Sequence, residues 1–127
     1  MTDTSHQRGT GADLKRAILE EARRTLVGQG HPALSTRKIA SAVGCTATSI
    51  YLHFKSKDAL VHALIDEGFE ELNRRLEAAL AVEGSGLERL QRSARAFVDF
   101  GLERPTYYEI MFLRSEEHTS ELQSRQY

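Results

Sequence analysis

Between residues 46 and 57 the chain reads Thr-Ala-Thr-Ser-Ile-Tyr-Leu-His-Phe-Lys-Ser-Lys, and side chains suited to recognition concentrate here. Ala47, Thr48 and Ser49 are small, so the backbone that carries them can approach base edges closely, and Thr48 can touch a thymine methyl. Tyr51 and His53 present hydrogen-bonding tips that can reach phosphate oxygens. Lys57 follows this run, while Arg37 and Lys38 precede it, so cations stand on both sides. The chemistry implied is the binding of double-stranded DNA rather than bond breaking. No phosphate-cradling glycine loop, nucleophile elbow or metal motif accompanies these residues, and no catalytic residue is assigned. Cys45, His53 and His62 have spacings that match no common zinc site, so neither a metal nor a cofactor is expected.

Three short helices are predicted to position these side chains. Ser35 suits an N-cap, and Ile39, Ala40 and Val43 then recur at helical spacing. Gly44 follows the last periodic residue, where glycine most easily takes the left-handed turn that ends a helix. Thr46 can cap a second helix, in which Ile50 and Phe54 share one face four residues apart. Ser56 can cap a third, opening with Lys57 and Asp58. Two helices joined by a short glycine-containing turn form the helix-turn-helix signature, placed here at residues 35–54. The charge agrees with it. Residues 35–60 carry four basic side chains and one acidic, whereas residues 61–113 carry six basic and ten acidic. The overall net charge of −1 therefore conceals a basic excess on the reading unit.

The run T-R-K-I-A, then V-G, then I-Y-L-H-F-K-S-K-D-A-L, is very similar to the helix-turn-helix of TetR-family transcriptional regulators. The resemblance implies DNA contacts from Thr36, Arg37, Thr48, Tyr51, His53 and Lys57, with Ala47 and Ser49 at the base-facing end. It implies an all-α homodimer that sets two heads on a palindromic operator, most often as a repressor. An unknown small-molecule effector would bind the helical body and move the helix that links it to the head. The implied location is cytoplasmic, on the bacterial nucleoid. Cys45 stands where the family usually has a small or aliphatic residue, and reads as a small buried hydrophobe.

The rest of the chain supports an all-α reading: a three-helix head, a long linking helix and the first helices of a regulatory domain. The 127 residues are 40% hydrophobic and 28% charged, with two prolines and no convincing strand alternation. The single cysteine permits no internal disulfide, and no apolar run nears the ~18 residues of a membrane span. Residues 1–11 read as a polar, solvated arm that carries His6 and Arg8. A helix is expected from about Asp13 to Val27, buried through Leu14, Ala17, Ile18, Ala22 and Leu26, and ended by Gly28 and Gly30 with Pro32 beyond. Residues 12–72 make up the expected DNA-binding domain and residues 73–113 an incomplete effector and dimerisation domain.

From Ser56 the third helix is expected to run on to about Ala81, buried through Leu60, Leu64, Ile65, Phe69, Leu72, Leu76, Ala79 and Leu80. Gly68 would mark either a bend or close packing. Asp66, Glu67, Glu70 and Glu71 read as a solvated acidic face. After Glu83-Gly84-Ser85-Gly86, the residues Leu87, Leu90, Ala94, Phe97, Val98 and Gly101 outline another helix, and Pro105 opens a short segment through Met111. The phrase A-F-V-D-F-G-L-E-R-P-T-Y-Y-E-I-M-F resembles the early regulatory domain of a TetR subfamily named for a Trp-His-Gly motif. Phe97, Tyr108 and Met111 are candidate lining for a ligand pocket, against the plainer reading that they are core.

Residues 114–124, RSEEHTSELQS, match one reading frame of a widely used short-read sequencing adapter, so residues 114–127 are expected to be a non-native tail. A native chain cut near Leu113 would leave Phe97, Val98, Phe100, Leu102, Tyr108, Met111 and Phe112 without partners, giving a folded head, a frayed body and weak, monomer-like DNA binding. The competing reading is a helical interaction module, or an inactive fragment, that has lost operator binding. Salt-sensitive retention on DNA separates the two.

Overall fold

The structure, a computed structural model, describes residues 11–114, and every regular element among them is helical. In order these are α1 (Gly11–Gln29), a 3₁₀ turn (His31–Ala33), α2 (Thr36–Val43), α3 (Ala47–His53), α4 (Lys57–Ala81), α5 (Gly86–Glu103), α6 (Pro105–Tyr108) and a π-helical turn (Glu109–Arg114). The expectations for His6, Arg8 and the adapter-like tail beyond Arg114 lie outside the described residues. The chain forms two compact units that divide between Leu64 and Ile65, inside α4 and earlier than the boundary expected after residue 72.

In the first unit, α1 buries Ile18, Ala22 and Leu26 completely. It is longer than the expected span at both ends. Gly28 stays helical, and the helix stops only where Gly30 turns to φ 89°, its N–H donating to the Leu26 carbonyl at 2.9 Å. Of the two glycines, only the one with positive φ acts as the terminator. Pro32 then sits in the 3₁₀ turn and Leu34 drops into the core. Ile39 and Ala40 from α2, Ile50 and Phe54 from the α3 region, and Leu60, Val61 and Leu64 from α4 complete that core. Leu14 and Val43 are half-buried at its edge.

The second unit carries the remainder of α4 and the helices that follow it. α4 is unbroken through Gly68, which is a packing site and not a bend. A Cβ built on Gly68 would lie 2.5 Å from Met111 Sδ and 3.0 Å from a Tyr107 ring carbon. The missing side chain is what lets the π-helical turn press against α4. α5 opens with a capping box: the Glu88 N–H donates to Ser85 Oγ and the Ser85 N–H donates to Glu88 Oε1. Arg89 and Arg92 donate to the carbonyls of Leu80, Ala79, Val82 and Glu83, so two guanidinium groups satisfy the acceptors left at the C-terminal end of α4.

The expected inward face of α5 needs correction. Leu87, Leu90 and Val98 are well exposed and Phe97 is partly so, while Phe100, absent from that outline, is the buried residue. Phe69 and Leu80 of α4 likewise lie partly open. Phe100, Tyr107, Ile110 and Met111 form a packed centre within the second unit, so Phe100 and Met111 are not short of partners.

Candidate nucleic-acid interface

Three helix starts fix the reading surface, and each uses the cap that its sequence offers. Ser35 Oγ accepts from the Lys38 N–H at 3.2 Å, Thr46 Oγ1 from the Ser49 N–H at 3.1 Å, and Ser56 Oγ from the Ala59 N–H at 3.1 Å. Each is the N-cap bond that saves an otherwise unsatisfied amide at a helix start. Gly44, at φ 86°, lets the Gly44 and Cys45 amides both bond to the Ala40 carbonyl, which closes α2 and turns the chain into α3. Cys45 is half-buried and not buried outright, and the partial loss of water pushes its thiol pKa up.

α3 is anchored by Ile50, and Phe54 follows at its end; both are buried. The Lys15 ammonium lies 5.6 Å from the centre of the Phe54 ring, a cation–π contact that ties α1 to the end of α3. With that face fixed inward, Ala47, Thr48 and Tyr51 stand exposed and Ser49 is half-exposed. Ser49 is partly engaged, since the Thr46 hydroxyl donates to its Oγ at 3.1 Å. Tyr51 reaches across to α2, where its hydroxyl lies 3.4 Å from Thr36 Oγ1. Thus two of the sequence-derived site residues, fifteen apart in the chain, meet at one point on the surface. His53 is half-buried, and a Cβ on Gly11 would stand 3.5 Å from its Cε1, so the ring lies beside the start of α1. Arg37 is exposed at the first turn of α2, and Lys57 is half-exposed at the first turn of α4.

The cations around α2 and α3 are left open. Among the described residues, no ion pair neutralises Arg37, Lys38, Lys55 or Lys57. Elsewhere, Arg24 pairs with Glu21, Arg74 and Arg75 share Glu71, and Arg75 also reaches Glu103. Arg89 and Arg92 spend their donors on carbonyls. Four cations open to an external anion thus cluster around α2 and α3, whereas the second unit commits Arg74, Arg75, Arg89 and Arg92 internally. The same surface holds a residue that sequence reasoning passed over. Leu52 is 80% exposed and stands one helical turn beyond Thr48 on the side away from Ile50 and Phe54. An apolar residue inside an aromatic-rich run reads as core, and only the fixed orientation of α3 shows otherwise.

The three candidate pocket residues do not come together. Phe97 and Tyr108, with Val98, Gly101 and Leu102, line an open hollow of about 320 Å³ in the second unit. Met111 is buried away from it, against Gly68. Among the described residues, no group of three or more His, Cys, Asp or Glu side chains is placed to hold a metal ion.

A capped helix-turn-helix whose exposed second helix is flanked by cations defines a DNA-binding head. Residues 18–64 match the family of bacterial regulatory proteins known as the tetR family, so this part of the chain is similar to the DNA-binding heads of those regulators. Over 58 residues, 46% of this chain and 31% of the relative, it is 36% identical to the HTH-type transcriptional repressor Rv1474c of Mycobacterium tuberculosis. Among solved structures it resembles a protein of unknown function from Rhodococcus sp. RHA1, with a TM-score of 0.70 and 31% identity over 82% of this chain and 53% of that one. It also resembles the TetR family transcriptional regulator PfmR from Thermus thermophilus, with a TM-score of 0.57 and 29% identity over 74% of this chain and 51% of that one. The chain thus spans between about a third and about half the length of these relatives. Among the described residues, no helix is long and apolar enough to cross a membrane.

Proposed function

We propose that this chain supplies the sequence-specific DNA-binding part of a bacterial transcriptional regulator, acting as a repressor at a palindromic operator when two copies are paired. The observation that carries this reading is the contrast in charge. Among the described residues, Arg37, Lys38, Lys55 and Lys57 remain unneutralised around the exposed face of α3, while Arg74, Arg75, Arg89 and Arg92 of the second unit are committed to carboxylates and carbonyls. Cations held on one face beside a short exposed helix favour a polyanion with readable edges over a neutral partner. In this reading Arg37, His53 and Lys57 hold phosphates, and Thr36 and Tyr51 grip one phosphate oxygen between their hydroxyls. Ala47, Thr48 and Ser49 lie along base edges. Nothing in this site performs bond chemistry.

Residues 73–113 are, in this proposal, the first part of an effector-binding and dimerising body, working in the cytoplasm on the nucleoid. The hollow beside Phe97 and Tyr108 and the open apolar residues Leu87, Leu90 and Leu102 support that assignment. The test is fluorescence anisotropy of labelled duplex DNA titrated with the chain at several salt concentrations. Affinity should fall steeply and linearly on logarithmic axes as salt rises. Absence of DNA binding at low salt would favour the helical interaction module instead.

A further inference from the structure

The geometry points to Leu52 as the residue by which the head selects thymine, through contact with the thymine 5-methyl group in the major groove. This rests on the DNA-binding reading above and deepens it. Leu52 is 80% exposed, more than any other large apolar side chain among the described residues. It lies on a seven-residue helix whose opposite face is pinned by Ile50 and Phe54, so it has no route into the core. A single exposed leucine is ordinary on a protein surface, so it is the place of Leu52 on the open face of α3, beside Thr48 and Tyr51, that gives it meaning.

The surroundings decide what that face meets. Among the described residues, Arg37, Lys38, Lys55 and Lys57 carry unneutralised positive charge near the same helix, which suits a polyanion and repels a basic partner. A leucine cannot hydrogen-bond a phosphate. In the major groove the one apolar group presented by a base pair is the 5-methyl of thymine. Thr48, one turn earlier on the same side, offers a second methyl, so Thr48 and Leu52 form a short apolar ridge between the hydroxyl of Tyr51 and the small residues at the helix start. The ridge would favour a thymine on each half-site and discriminate against cytosine at that step.

The experiment begins with the duplex that the full chain enriches most strongly from a randomised pool. Each thymine of that duplex is then replaced singly by deoxyuridine, which keeps every hydrogen-bonding edge and deletes only the methyl. Wild type should lose about fourfold in affinity at one thymine per half-site, the size expected for one methyl withdrawn from water. Leu52→Ala should bind deoxyuridine and thymidine alike at that step, with the salt dependence unchanged, and Leu52→Met should keep the discrimination. The high exposure of Leu52 makes loss of folding a poor explanation for either result, and circular dichroism checks it. The inference is overturned if Leu52→Ala retains every wild-type uracil penalty, if Thr48→Ala alone abolishes the penalty, or if wild type shows none. A wild-type chain that enriches no duplex at all contradicts the DNA-binding reading itself, and the thymine contact falls with it.

Discussion

The hydroxyl oxygens of Thr36 and Tyr51 stand 3.4 Å apart, joining the first turn of α2 to the exposed side of α3. That is longer than the ~2.7–2.8 Å of a strong hydroxyl pair, and both residues face solvent, so the contact adds little to folding. Its geometry suits a phosphate oxygen that accepts from both hydroxyls at once. Tyr51→Phe should therefore change stability by no more than about 0.5 kcal/mol. It should weaken DNA binding about tenfold, the scale of a hydrogen bond to a charged group. Thermal denaturation and anisotropy on the same preparation check both halves. An equal loss in stability and binding would mean that the pair is structural.

Lys57 and Thr48 should fail in different ways. Lys57→Ala removes a cation at the start of α4, so affinity should drop alike for every DNA sequence and the salt dependence should become shallower by about one counterion. Thr48→Ala should instead alter the preferred base at one half-site position, at a cost of about 1–3 kcal/mol for a direct contact. Binding across a panel of single-base operator variants separates them. A loss confined to one position for Lys57→Ala, or a uniform loss for Thr48→Ala, would reverse the two assignments.

Gly68→Ala tests the packing of the second unit. Alanine is the better helix former by roughly 1 kcal/mol. Here, however, the added methyl would meet Met111 Sδ at 2.5 Å and the Tyr107 ring at 3.0 Å. Overpacking of this kind costs about 1–3 kcal/mol, so the net expectation is destabilisation, measured by chemical denaturation. Shortening Met111 in the same chain should recover part of the loss. A stabilised Gly68→Ala chain would show that the contact gives way easily.

Glu71 accepts from Arg74 Nη2 at 2.9 Å and from Arg75 Nε at 3.0 Å. These bonds hold its carboxyl below the usual carboxylate range, with the hydrogen bond from Arg74 first and that from Arg75 next. A depressed folded-state pKa contributes stability above the unfolded value near ~4.3, and that stability is lost as pH falls through the folded value. Glu71→Gln should thus cost roughly 0.2–1 kcal/mol at neutral pH, because the pairs are partly exposed. The gap between the two chains should close in acid. Denaturation midpoints at pH 7 and pH 3 read this out, and a gap that widens in acid would contradict it.

The head was legible in the sequence because its punctuation is local. Ser35, Gly44, Thr46 and Ser56 each act within a few residues, and all of them cap or terminate as their chemistry suggests. The second unit was less so. In α5 the apolar spacing of Leu87, Leu90 and Val98 marks an outward face, while the burial of Phe100 is settled within a unit whose contacts are distant in sequence. Gly68 shows the same limit: the sequence left open a bend or a close approach, and only Met111, far along the chain, decides for the second. Among the site residues, charge and size marked Arg37, Thr48 and Lys57. Leu52 was hidden because hydrophobicity alone does not say which side of a short helix is anchored.

The central claim is that DNA meets this chain on α2, α3 and the start of α4. Amide chemical-shift mapping by NMR, on the uniformly labelled chain titrated with duplex DNA at low salt, addresses it most directly. The largest shifts should cluster on residues 36–57, including Thr36, Arg37, Thr48, Tyr51, Leu52 and Lys57, with α5 little affected. Shifts centred instead on Arg89, Arg92 and Arg95, or spread evenly over both units, would contradict it.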